Sequence, residues 1–162
     1  MSKAYLGIGT NIGDREENLK SALISLNLLP TTKVLAISKV YETDPVGFAE
    51  QDNFLNIAVE IETELTAQNI LGACLGVEAG LGRIRTIKNG PRVIDIDLLL
   101  YEDEKYDTPS LVLPHPRMFE REFVLRPLLD IEFNNPLFDR EWAQNTLTGD
   151  GIKKYLDEIK ID

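Results

Sequence analysis

A chain of 162 residues with 43% apolar and 27% charged residues sits near the usual length of one domain and excludes a largely disordered chain. A formal net charge of −10 speaks against sequence-independent nucleic-acid binding, which needs a basic footprint, and no run of eighteen apolar residues is present to cross a membrane. The single cysteine, Cys74, lies between Ala73 and Leu75 and reads as core packing in a reducing compartment, so the expected location is the cytoplasm.

Residues 4–8 read as a buried first strand that ends in the glycine-rich run Gly7-Ile8-Gly9-Thr10-Asn11-Ile12-Gly13. Asp14 and Glu17 then stand at N-cap and N3 spacing for a helix with an apolar stripe of Leu19, Ala22, Leu23 and Leu26, closed by Pro30. Residues 33–41 alternate as a second strand. After the loop Thr43-Asp44-Pro45-Val46-Gly47, residues 53–61 form a third, with Leu55, Ile57, Val59 and Ile61 on one face and Phe54, Asn56 and Ala58 on the other. Thr66 caps a second helix with the stripe Ile70, Leu71, Cys74 and Val77, and Gly80 suits a left-handed exit. A fourth strand is expected over 93–100.

This order matches an α+β fold of the ferredoxin-like type, an antiparallel sheet packed with helices, in one domain over 1–162. From Tyr101 onward Pro109, Pro114, Pro116, Pro127 and Pro136 predict short elements in a C-terminal extension, with a last helix near 151–159.

Asp95-Ile96-Asp97 is the sharpest chemical feature. Strand residues two apart point to one side, with alpha carbons about 6–7 Å apart, while Ile94, Ile96, Leu98 and Leu100 claim the opposite face for the core. Two like charges so close favour a cation between them, and hard oxygen ligands suit magnesium together with substrate phosphates. The same spacing also fits two solvated acids on an exposed strand. Immediately upstream, Arg83, Arg85, Lys88 and Arg92 fall in a stretch without carboxylates, with Gly82 and Gly90 to let it move. Such a loop can grip phosphate oxygens or simply balance an acidic protein.

His115, between Pro114 and Pro116, can donate to a phosphate or serve a structural role. Arg121 can contact a nucleotide or pair with its neighbours Glu120 and Glu122. Phe54 and Phe123 can sandwich a flat heterocycle whose edge Asn56 reads, or pack in the core. The first glycine run has one residue too many for a dinucleotide fingerprint and reads as a tight turn into the helix.

From Tyr5 to Leu129 the chain resembles the hydroxymethyl-dihydropterin pyrophosphokinases of folate biosynthesis. The resemblance rests on residues 6–14, on Tyr41-Glu42-Thr43-Asp44-Pro45 with Phe54-Leu55-Asn56, and on Gly90-Pro91-Arg92-Val93-Ile94-Asp95-Ile96-Asp97 with Pro114-His115. It implies transfer of the terminal two phosphates of ATP to the pterin hydroxymethyl oxygen, with AMP released and two magnesium ions held by Asp95 and Asp97. By the same match Arg83 and Arg92 look like transition-state contacts. Glu78, Arg85, His115 and Arg121 look like ATP contacts, as do Arg83 and Arg92. Thr43, Pro45, Val46, Phe54, Asn56, Asn89 and Phe123 look like the pterin pocket. Asn89 stands where many members have tryptophan, and Thr10 where serine is commoner. The expected partners are ATP and a pterin, with no nucleic acid and no membrane, acting on a monomer. An ATP-sensing module without transfer and a nicotinamide-dependent reductase are the rival readings.

Overall fold

The first strand, β1 (Ser2–Thr10), leads through Gly13, whose φ of +76° favours glycine, into α1 (Arg15–Asn27). These elements belong to a computed structural model that describes residues 1–45, 50–82 and 92–161. Asp14 caps α1 by accepting the Glu17 N–H at 3.1 Å, and Leu19, Ala22, Leu23 and Leu26 form its buried stripe, as expected.

The expected second strand is in fact two, β2 (Thr32–Ile37) and β3 (Val40–Thr43). The break falls at Ser38, whose hydroxyl accepts the Ala58 N–H at 2.8 Å and so interrupts the backbone ladder. Next comes β4 (Phe54–Thr63), which pairs antiparallel with β1, β2 and β3. Thr66 then caps α2 (Ala67–Gly80) by accepting the Asn69 N–H at 3.2 Å. Helical bonding continues through Gly80, because Leu81 N–H reaches Val77 O at 3.0 Å, and the left-handed residue is Gly82 at φ +89° instead.

The remaining elements are β5 (Asp95–Tyr101), β6 (Tyr106–Asp107), β7 (Val112–Leu113), α3 (Glu122–Leu128), α4 (Arg140–Thr146) and β8 (Ile152–Leu156). The main sheet runs β5-β1-β4-β3-β8, with β2 also on β4, and these pairs are antiparallel. This is the expected α+β, ferredoxin-like arrangement. The helix expected over 151–159 is corrected: β8 is a strand. Ile152, Leu156 and Ile159 have helical spacing, but the open edge of β3 supplies ladder partners for the segment and overrides it.

One face of the sheet, with Leu6, Ile8, Leu55, Ile57, Ile96 and Leu98, packs against α1 and α2. The other carries Tyr5, Ala58 and Leu99 against α3. Leu100 joins this second cluster, contrary to the simple alternation, because the β1–β5 register shifts between Tyr5 and Leu6. The same second face continues past Tyr5 to Gly7 and Gly9, where α3 no longer covers it.

Candidate active site

The uncovered end of that face carries the chemistry. Asp95 and Asp97 alternate with buried Ile96 and Leu98, so both carboxylates emerge on one side of β5. Their partners across the ladder are glycines, Gly9 opposite Asp95 and Gly7 opposite Asp97, so no side chain from β1 stands over either acid. The glycine run therefore clears the strand face, and only Gly13 serves the turn expected of the run as a whole.

Asp97 has its carboxyl pushed up to about 7, chiefly by burial and then by the charge of Asp95, with Arg121 and Arg92 acting in the opposite sense. A carboxyl held back from ionisation beside a second carboxylate makes a site suited to a cation. The donor set, two hard carboxylates side by side, fits a magnesium ion that completes its shell from phosphate oxygens and water.

Arg92 stands next to this pair, its guanidinium 3.4 Å from the Asp95 carboxylate and 5.4 Å from the centre of the Phe54 ring. Its backbone is pinned from β1: Asn11 N–H donates to Arg92 O at 3.1 Å, and the Asn11 side-chain oxygen accepts the Arg92 N–H at 2.9 Å. The Asn11 amide group donates in turn to Gln51 and to Asp52 O, both at 2.9 Å. Thr10 adds a bond from its hydroxyl to Val93 O. Sequence reasoning left Asn11 without a role, because its burial and its partner Arg92 are set by the tertiary structure.

A cleft opens beside Arg92. Its walls are Gly9 of β1, Thr43 and Asp44 at the end of β3, Phe54 and Asn56 of β4, and Arg121 and Phe123 at the start of α3. Asn56 is buried and donates from its amide to the Thr43 hydroxyl at 2.6 Å, which orients the group. The Arg121 guanidinium lies 5.5 Å from the centre of the Phe123 ring. Pro45 lines an adjoining cleft with Phe123.

His115 is held by its N–H donating to Leu99 O at 2.9 Å, while its Nδ1 accepts the Arg117 N–H at 3.1 Å. Burial first and the charge of Arg121 second lower its pKa, so the ring is neutral at pH 7 and Nε2 carries the proton. Glu78, buried on α2, accepts the Ile96 N–H at 2.7 Å and so braces the strand between the two aspartates. Val46, Arg83, Arg85 and Asn89 lie outside the described residues.

Thr43, Phe54, Asn56, Arg92, Asp95, Arg121 and Phe123 are thus brought around one cleft. Asp97 stands beside it on the strand of Asp95. Among the described residues no helix is long and apolar enough to cross a membrane.

Comparison with known proteins assigns the family. The family model described as 7,8-dihydro-6-hydroxymethylpterin-pyrophosphokinase matches residues 5–133. A 2-amino-4-hydroxy-6-hydroxymethyldihydropteridine pyrophosphokinase of Bacillus subtilis is 47% identical over 128 residues, 79% of this chain and 77% of that protein. The protein of the same description in Methylorubrum extorquens is 50% identical over 131 residues, 81% of this chain and 83% of its own length. The crystal structure of wild-type Plasmodium falciparum HPPK-DHPS with SDX-DHP superposes with a TM-score of 0.67 at 15% identity, a likeness of fold alone. That match covers 100% of this chain, which spans about half, 49%, of the solved chain.

Proposed function

The chain belongs to the 7,8-dihydro-6-hydroxymethylpterin-pyrophosphokinase family, and on that premise we propose how its own residues divide the work. It is an ATP-using transferase of folate biosynthesis that moves a pyrophosphoryl group to the hydroxymethyl group of 6-hydroxymethyl-7,8-dihydropterin and releases AMP. In that transfer the pterin oxygen forms a bond to the β-phosphorus as the bridge between the α and β phosphates breaks. The hydroxyl proton leaves, and the electron pair goes to AMP.

The observation that carries the assignment is the pairing of Asp95 and Asp97 on one glycine-cleared strand face next to Arg92. These two carboxylates would hold two magnesium ions, which would offset the charge of the triphosphate and draw the reacting oxygens into line. Arg92, pinned by Asn11 and steered by Asp95, meets negative charge as it shifts toward the leaving AMP. Arg121 and the Nε2–H of His115 serve as phosphate donors, and Arg83 and Arg85 are assigned as further phosphate contacts. Glu78 acts at the nucleotide side through β5.

The pterin lies between Phe54 and Phe123, with Asn56 reading its edge in an orientation set by Thr43. We assign Pro45, Val46 and Asn89 to the same pocket. Chemistry of this kind depends on positioning and charge stabilisation more than on a general base. The chain works as one domain, as a monomer in the cytoplasm.

Purified chain incubated with ATP, magnesium and the hydroxymethyl dihydropterin is expected to release AMP, and Asp97→Ala to abolish that release while still folding. ATP binding without AMP formation by the unaltered chain would point to a sensor instead.

A further inference from the structure

The pterin pocket, on the reading just given, has two walls that come from distant parts of the chain. Thr43 and Asp44 end β3, and Arg121 and Phe123 open α3. The far end of α3 is tied to β3 by the Tyr41 hydroxyl, which donates to Asp130 at 2.6 Å. The pocket end needs its own tie, since α3 is only seven residues long and Arg121 makes no side-chain capping bond.

That tie comes from residues beyond the stretch the family model matches. β8 pairs with β3 so that Ile152 faces Thr43, and Asp44 N–H donates to Gly151 O at 2.9 Å. On the opposite wall the Glu122 carboxylate accepts the N–H of Thr148 at 2.5 Å and of Gly149 at 3.0 Å. The slight burial of Glu122 pushes its carboxyl up, but the Thr148 and Gly149 bonds outweigh it and leave the group below the usual range. The connecting turn is shaped by left-handed glycines, Gly149 at φ +80° and Gly151 at φ +69°, and by the Asp150 N–H on the Thr148 hydroxyl at 3.1 Å. At Gly151 the fit is close: a Cβ there would lie 2.9 Å from Asp44 Oδ2.

We propose that the turn over 148–151 is a strap that sets the width of the pterin pocket, joining Asp44 on one wall to Glu122 on the other. Glu122 and Gly151 are then positioning residues: they act on the heterocycle through Thr43 and Phe123. Arg121 is the one nucleotide contact on that wall, whereas Arg92, Asp95 and Asp97 stand on β5 or just before it, so the strap bears more on the pterin than on the nucleotide.

The test compares unaltered chain, Glu122→Ala, Glu122→Gln and Gly151→Ala for binding of the hydroxymethyl dihydropterin and of a non-hydrolysable ATP analogue with magnesium, alongside melting temperature. Loss of two charge-assisted bonds in Glu122→Ala is expected to weaken pterin binding by on the order of tenfold while ATP-analogue affinity stays within about twofold. Glu122→Gln, which keeps one carbonyl acceptor, should recover part of the loss, and Gly151→Ala should weaken the pterin from the other wall. Pterin affinity equal to the unaltered chain in Glu122→Ala and Glu122→Gln overturns the strap, as does equal weakening of both ligands. An unaltered chain that fails to bind the pterin overturns the pocket assignment itself, a distinct result.

Discussion

Gly9 of β1 lies directly across the ladder from Asn56 of β4, and a Cβ on Gly9 would come within 2.7 Å of the Asn56 side-chain oxygen. Asn56 cannot easily yield, because its amide is already committed to the Thr43 hydroxyl at 2.6 Å in a buried position. The glycine thus protects the orientation of the amide that reads the heterocycle edge.

Gly9→Ala is therefore expected to displace Asn56 and weaken pterin binding by about tenfold or more, at a stability cost of about 1–3 kcal/mol from overpacking. Calorimetric titration of pterin together with thermal melting checks both numbers. Normal pterin affinity in this variant would show that Asn56 does not set recognition.

Asp97 leads to a pH-dependent prediction for the metal-free protein. Its folded value of about 7 stands above the ordinary 3.8, so between these values the folded state holds more protons than the unfolded one. Its contribution to stability is full below 3.8 and is lost as pH rises through about 7. In the presence of a chelator, Asp97→Asn should gain melting temperature relative to the unaltered chain as pH is raised from 4 to 8, although it loses turnover. A gap between the two that stays flat, or that widens on acidification, would refute this electrostatic account.

Arg92 and Asn11 form the third case. Arg92→Ala should lower kcat by about a hundredfold or more and change KM for either substrate much less, as expected for charge stabilisation that matters most in the transition state. Asn11→Ala leaves the guanidinium in place but frees the Arg92 backbone, so it should lower kcat less, at a stability cost of about 1–3 kcal/mol. Steady-state kinetics with denaturant melts separate the two, and an Asn11→Ala enzyme with unchanged kcat would remove the positioning role.

Much of this was legible because it depends on neighbours in the chain. The caps at Asp14 and Thr66 act over three residues, and the alternation through Asp95 and Asp97 is a property of any strand, so both could be read directly. The acids directly after a basic stretch pointed to phosphate chemistry for the same reason. Ser38 shows the opposite case, since nothing near it announces that its hydroxyl will take the Ala58 N–H and divide a strand. Asn11 is another, its partner Arg92 being remote in sequence.

Local periodicity by itself determined α1, α2, the longer strands and the shared face of the two aspartates. Only the tertiary structure decided that residues 152–156 form a strand, that the glycines of β1 stand opposite the acids, and that one turn joins Asp44 to Glu122. The reason is physical: hydrogen-bonding edges and steric clearances belong to pairs of segments, and a segment with helical spacing takes the conformation that satisfies its backbone against whatever edge the fold leaves open.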